Sequence, residues 1–296
     1  MAEAPVAAHA PRRKVREMQV KLVDVRMETE DTATLFLDVG DGNRNYTAGQ
    51  FLTVDPHQFG VLENLIAYLE DIKGSKEKPR AYSMGSAPHE PYVMITVKEE
   101  RYWPGESKYP PVLSPLLTFH TPVGSELVIS GFTGPYTIPE DITDRTDNIL
   151  HVCAGSGIVP NLALMKHSLH VGDGLRHVLL YSNRYKKDII YYADFAKLAR
   201  QFSDKVEIVH CITREDPVDV EPVARRGRID RDLLQKYIPD SSNCMAYCCG
   251  PGVLPWEKKE AREKGETPEP KFVENMVSLL YEFGLDKKQV KQESWG

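Results

Sequence analysis

A chain of 296 residues, 41% apolar and 27% charged, has room for two domains of ordinary size and the composition of a globular protein. No run of about 18 apolar residues is present to span a bilayer, and a net charge of -6 argues against nucleic acid as the principal partner. Five cysteines, an odd number in a long chain, point to reduced thiols in a cytoplasmic setting rather than to a disulfide framework.

Residues 1–17, which hold the basic cluster RRKVR at 12–16, lack an apolar stretch of signal-peptide length and read as a mobile arm. From 18 to 143 short runs alternate apolar and polar residues: MQVKLVDVRM, TATLFLDV, QFLTVD, YVMITVK and ELVISG. Turn-forming pieces such as DGNRN and TPVG separate them, which predicts an antiparallel β-barrel or sandwich. One segment breaks the alternation. In VLENLIAYLEDI, residues 61–72, the spacing of Val61, Leu62, Leu65, Ile66, Leu69 and Ile72 predicts an amphipathic helix.

The stretch RAYS, residues 80–83, follows as a strand running into a turn. Extended backbone sets Arg80 and Tyr82 on one face and Ser83 on the other. A fixed cation, a phenol ring and a hydroxyl so placed suit a ligand with an anionic end and a flat ring. Taken alone, the tetrapeptide also fits a solvated arginine beside a half-buried tyrosine.

From 144 to 296 the pattern becomes strand, glycine-rich turn and helix in repeated units, which predicts a parallel sheet with crossover helices. GSGIVP, residues 155–160, follows the apolar strand NILHVC and opens a helix with Pro160 in its first turn, where a missing N–H costs nothing. Gly155 and Gly157 are expected to let the backbone approach a diphosphate at the positive end of that helix. After the next strand YSNR supplies Ser182, Asn183 and Arg184 with no carboxylate for a ribose 2′-hydroxyl, which favours NADPH over NADH. Arg214, after the following strand, is counted with Arg184 among the cofactor-binding residues. The charged piece EKKEAREKGETPEPK, residues 257–271, reads as an exposed helix end and loop.

R-x-Y-S within a barrel, then G-x-G-I-x-P after a strand, then C-G-P after another strand form an ordered set that resembles the ferredoxin-NADP reductase family of flavoproteins over about residues 18–296. The resemblance implies an all-β FAD-binding barrel followed by an α/β NAD(P)-binding domain. It implies that Arg80 pairs with the flavin diphosphate, that Tyr82 lies along the isoalloxazine and ribityl, and that Ser83 serves flavin N5. Guanidinium, phenol and hydroxyl each match those chemical tasks. AGQF at 48–51 matches the barrel strand before the flavin motif, Ser114 in VLSPLL helps hold the diphosphate, and GFTGPY at 131–136 closes the barrel.

In the second domain the resemblance implies that Gly155, Gly157 and Pro160 form the nucleotide loop and that Cys249, Gly250 and Pro251 lie against the nicotinamide. Cys249 is then a positioning residue beside the hydride path, and Cys248 a buried thiol. Near the end of QESWG, Glu293 and Trp295 match the family's acidic residue and flavin-stacking aromatic. Three features depart from the family's pattern: the helix at 61–72, an extension around 255–270, and Gly296 after the aromatic; Pro160, which fits that pattern, replaces the third glycine of a generic dehydrogenase turn.

A plant-type iron–sulfur domain would need C-x4-C-x2-C. Cys244 and Cys249 have the first spacing, but position 252 is Gly, so no cluster is expected. His167 and His170 stand three apart on a helix without a third ligand nearby in sequence, and read as exposed helix positions rather than a zinc site. The expected activity is an FAD-dependent NAD(P)H reductase passing electrons to a separate one-electron acceptor, a ferredoxin or an oxygenase component. A flavin or quinone reductase with a small diffusible acceptor and a non-catalytic nucleotide-sensing subunit are the alternatives. Ser83, Cys249 and Glu293, placed for hydride transfer, count against the sensor.

Overall fold

The computed structural model describes residues 16–105, 107–238 and 240–295. Most of the arm expected over 1–17 lies outside them, and Arg16 and Glu17 already belong to the first strand.

The first half contains β1 (Arg16–Thr29), β2 (Thr32–Asp38), β3 (Phe51–Val54), α1 (Glu63–Lys73), β4 (Arg80–Ser83), β5 (Val93–Lys98), α2 (Ser114–Phe119) and β6 (Glu126–Thr133). Its six strands run in the order β4-β3-β6-β1-β2-β5 with antiparallel pairing. The two edges meet just past β4, where Met84 bridges Ile95 and the Gly85 amide donates to the Met94 carbonyl at 2.8 Å. That closure makes the sheet a barrel and removes its open edges. The period-2 pattern read in the sequence is the burial pattern: Met18, Val20 and Leu22 of β1 point inward, with Leu35, Leu37, Leu52 and Ile129.

The helix expected over 61–72 begins at Glu63, after a 3-10 turn at Gly60–Leu62, and ends at Gly74 in the left-handed region. Leu62, Ile66 and Leu69 are buried, but Val61 is 78% exposed and Ile72 45%, so the apolar face is narrower than the sequence suggested. At about 100° per residue Val61 and Ile72 stand roughly a quarter turn round the helix from Leu62, Ile66 and Leu69, at the rim of the buried face.

The second half contains β7 (Asn148–Ala154), α3 (Ile158–Val171), β8 (Arg176–Asn183), α4 (Tyr192–Gln201), β9 (Val206–Ile212), β10 (Ala224–Arg226), α5 (Arg231–Tyr237), β11 (Met245–Pro251), α6 (Pro255–Lys264), α7 (Phe272–Glu282) and β12 (Val290–Trp295). The strand order is β10-β9-β8-β7-β11-β12, parallel throughout. Helices cover the faces, which is why β7 and β8 read as nearly unbroken apolar runs. The order reverses between β7 and β11, and a crevice at the carboxyl ends of such a strand pair is where open α/β sheets bind ligands. The extension after β11 forms α6, fastened by the Leu254 amide and the Lys271 ammonium on Glu257, both at 2.7 Å.

Side chains from both halves interlock along the seam. Tyr191, held at φ 61, bonds its hydroxyl to Thr96 in the barrel and donates its amide to Glu28 at 3.3 Å. Arg26 of β1 meets Asp194 of α4 at 2.6 Å. Ala48 and Tyr136 pack against Ile149, Ala163, Leu164, Tyr247 and Cys249 of the second half in one buried cluster. No helix of the described residues is long and apolar enough to cross a membrane.

Candidate active site

β4 ends on the seam and carries three of the expected site residues. The Arg80 guanidinium donates to the Glu77 carboxylate and to the Lys78 carbonyl. Glu77 is buried and also takes the Lys73 ammonium from the last turn of α1. Burial works to raise the Glu77 carboxyl, but the bonds from Lys73 and Arg80 outweigh it and hold the group below the usual carboxylate range. Glu77 thus holds two cations, with Glu70 beside it accepting from its amide at 2.8 Å.

Tyr82 pairs with Leu52 of β3 and packs on the barrel core. Burial, with the charge of Glu100 adding to it, pushes its phenol up, so the ring is an apolar surface with a neutral hydroxyl. Ser83 reaches across the seam: its Oγ donates to Oε2 of Glu293 at 3.1 Å, joining positions 210 residues apart. Burial raises the Glu293 carboxyl and the Ser83 bond opposes it.

Glu293 lies on β12 beside Cys249 of β11, which is flanked on its other side by Cys153 of β7. Cys249 is only 2% exposed, and burial first, then the Glu293 charge, pushes its thiol far above its ordinary value. A thiol so held is not a nucleophile at neutral pH. Cys248 is likewise buried and pushed up to about 12.

The turn after β7 is a 3-10 turn, Gly155–Gly157, leading into α3 with buried Pro160 in its first turn. Its two glycines have different reasons. Gly155 adopts φ +53, and a Cβ there would meet nothing within 4 Å, so open space lies over its backbone. At Gly157 a Cβ would fall 2.2 Å from the Cys249 carbonyl oxygen and 2.6 Å from Cη2 of Trp295. The expectation that both admit a ligand is therefore corrected for Gly157, which is glycine because the C-G-P strand and the indole press on it. Gly250 has the same cause, since its Cβ would lie 2.5 Å from the Phe272 ring. Trp295 pairs with Pro251 in register, and its indole lies over the nucleotide loop within the interdomain cluster.

Arg184 and Arg214 are exposed at the ends of β8 and β9, side by side, with the Arg214 amide donating to the Arg184 carbonyl at 2.9 Å. Among the described residues neither guanidinium is in an ion pair. Ser114 opens α2 and is buried; its Oγ accepts from the Glu100 amide at 3.0 Å, and its hydroxyl proton is left to donate to another group. His167 and His170 are not both exposed helix positions. α3 packs on a barrel loop, Lys166 meets Glu90 at 3.0 Å, the His170 ring stacks on His89 at 3.6 Å, and His167 is half-buried. Among the described residues no group of three or more His, Cys, Asp or Glu side chains could hold a metal ion.

The site thus brings Ser83, Cys249 and Glu293 together, with the Gly155 turn and Trp295 beside them; Arg80 stands at the other end of β4, and Arg184 and Arg214 at the far strand ends. Sequence reasoning passed over Glu77, three residues before Arg80, and Asn161, four residues after Gly157. Only a buried polar residue within an apolar helix could have flagged the latter.

The chain is similar to several known proteins. The family model of the oxidoreductase NAD-binding domain matches residues 151–255. The ferredoxin reductase component of 3-ketosteroid-9-alpha-monooxygenase from Mycolicibacterium smegmatis is 27% identical over 276 residues, covering 91% of this chain and 66% of that protein. The reductase component of propane 2-monooxygenase from Rhodococcus jostii is 26% identical over 71% of this chain and 58% of its own length. The chain therefore spans 58 to 66% of these two relatives. Among solved structures, the FAD/NAD-binding domain of nitric oxide dioxygenase from Vibrio cholerae superposes with a TM-score of 0.67 at 20% identity, covering 95% of this chain and 100% of that one, which establishes a common fold.

Proposed function

From the premise that this chain belongs to the ferredoxin-NADP reductase-like FAD/NAD(P)-binding flavoproteins, we propose that it is an NAD(P)H-dependent reductase that passes electrons through FAD to a separate protein, a ferredoxin or an oxygenase component. The observation that carries this reading is the Ser83–Glu293 bond at 3.1 Å, which brings the end of the barrel strand R-x-Y-S onto the strand beside C-G-P. The residues present fit the two cofactors. The Arg80 guanidinium suits a diphosphate, the apolar Tyr82 ring a flat heterocycle, and the open space over Gly155 a second diphosphate.

When bound, a flavin takes a hydride from a nicotinamide and releases electrons singly, which matches a two-electron donor to one-electron acceptors. The protein supplies position and dryness. Arg80 would grip the flavin diphosphate, with Ser114 offering its hydroxyl proton to the same group and Tyr82 packing along the ring system. Ser83 would present a hydroxyl at the reacting edge, fixed by its bond to Glu293. Glu293, with its carboxyl raised by burial, is suited to hold and hand on a proton at Oε2. Cys249, Gly250 and Pro251 would form the wall against a nicotinamide, with the Trp295 indole over the loop to keep water out. Gly155, Gly157 and Pro160 shape the turn for the pyrophosphate, and Arg184 with Arg214 favours a 2′-phosphate, hence NADPH.

The relatives' names support a reductase component with a separate oxygenase or ferredoxin partner. Five free and buried cysteines support a cytoplasmic setting. Anaerobic spectroscopy of the purified protein tests the reading: a bound-flavin spectrum is expected, bleached rapidly by NADPH and slowly by NADH. A protein that carries no flavin, or whose flavin neither nucleotide bleaches, would sink it.

A further inference from the structure

We propose that Asn161 is a positioning residue for the nucleotide turn, holding Gly155–Gly157 and the adjoining C-G-P strand in the shape that receives NAD(P)H. The proposal deepens the reading above and rests on it. Asn161 lies in the first turns of α3 and is completely buried. Its Nδ2 donates to the Gly157 carbonyl at 2.8 Å, while its Oδ1 accepts from the Tyr136 hydroxyl at 3.2 Å and lies 2.8 Å from Nδ1 of His151. One amide therefore ties the turn to β7, through His151, and to the segment leaving the barrel, through Tyr136.

The orientation of that amide is determined by chemistry. A carbonyl oxygen only accepts, so the nitrogen of Asn161 must face Gly157 and its oxygen must accept from the other two partners. His151 is then protonated at Nδ1. Its Nε2 accepts from Nδ1 of His177 at 3.0 Å, which leaves Nε2 of a neutral His177 to accept from the Ser168 hydroxyl at 2.7 Å. Burial favours neutral rings, lowering His151 to about 3 and His177 to about 4. The row running from the turn to the far end of α3 is thus a fixed, uncharged brace.

Position 161 sits among apolar neighbours of α3, and a leucine there would leave the Gly157 carbonyl, the Tyr136 hydroxyl and Nδ1–H of His151 without this partner, so the amide serves stability as well as position. What an apolar residue could not do is fix the Gly157 carbonyl. Gly157 touches both the Cys249 carbonyl and the Trp295 indole, so its position sets the Gly155 turn and the C-G-P strand together. Displacement of a positioned backbone by a fraction of an ångström is enough to disturb a bound reactant.

The test compares wild type with Asn161→Leu and with the milder Tyr136→Phe, which removes one hydroxyl from the amide. Flavin content, melting temperature, the Kd for NADP+ or NAD+ from flavin-spectrum titration, and the maximal reduction rate are measured on the full chain. Asn161→Leu is expected to raise Kd and KM about tenfold, with flavin content unchanged and the saturating rate falling less than Kd rises; Tyr136→Phe is expected to give about a two- to threefold rise. If Asn161→Leu keeps a wild-type Kd, or if both variants lose flavin in proportion to nucleotide affinity, the residue only packs and the proposal falls. If Asn161→Leu does not fold, the outcome for Tyr136→Phe decides, an unchanged Kd overturning the proposal. A wild type that binds neither flavin nor nucleotide would instead sink the proposed function itself.

Discussion

Ser83, Glu293 and Arg80 do separable jobs, and single substitutions should separate them. Arg80→Ala leaves Glu77 buried with one cation fewer and removes the grip on a diphosphate, so the purified variant should carry much less flavin by absorbance. Ser83→Ala removes one hydroxyl at the seam without touching that end of β4; flavin content should hold while the rate of reduction by NADPH in stopped flow falls about tenfold. Glu293→Gln tests the buried carboxyl. Its pKa is raised in the fold, so the native state binds the proton more tightly, and the stability this gives at low pH is lost as pH rises through the folded value. At neutral pH the ionised group is destabilising. The isosteric amide, still able to accept from Ser83, should melt about 1–3 °C higher than wild type at pH 8 and level with it near pH 4.

At the scale of elements, the seam depends on fit more than on charge. Gly85, just past β4, lies under Tyr191: a Cβ there would come 2.7 Å from the tyrosine hydroxyl and 3.4 Å from Val159. Gly85→Ala should therefore destabilise the protein by about 1–3 kcal/mol in chemical denaturation. Adding Tyr191→Phe, which removes the clashing oxygen, should recover part of that loss, although alone it costs about 1 kcal/mol through the bond to Thr96. Most strands of the two sheets and the turn that opens α3 were legible in the sequence because period-2 alternation, apolar runs and a strand-to-helix glycine turn are local signals, whereas the short β10 and the final β12, which carries Glu293, were not read as strands. The breadth of the buried face of α1 was not legible either, because Val61 and Ile72 stand at its rim, where packing on the barrel and not spacing decides burial. Nor were the causes of Gly157 and Gly250, which lie in strand β11 and helix α7.

For the whole molecule, the two halves are joined by buried side chains and, among the described residues, by three ion pairs: Lys166–Glu90 at 3.0 Å, Lys187–Glu30 at 3.1 Å, and Arg26–Asp194, whose side chains are 42% and 33% exposed. Arg26 keeps Glu28 at 2.7 Å if Asp194 is changed. Asp194→Asn is thus expected to lower stability by less than about 1 kcal/mol, with flavin reduction unaffected; a larger loss would mean that charge, not packing, holds the seam. The order of motifs along the chain determined the fold class and named Arg80, Tyr82, Ser83, Cys249 and Glu293 as the residues to watch, since each motif is a short run whose meaning depends on its own residue types. Tertiary structure alone decided which of them meet. Ser83 and Glu293 stand 210 positions apart, and only the closure of the barrel and the reversal of strand order between β7 and β11 bring hydroxyl and carboxylate within a hydrogen bond. Long-range contact of that kind is a property of packing geometry, and a linear pattern does not encode it locally.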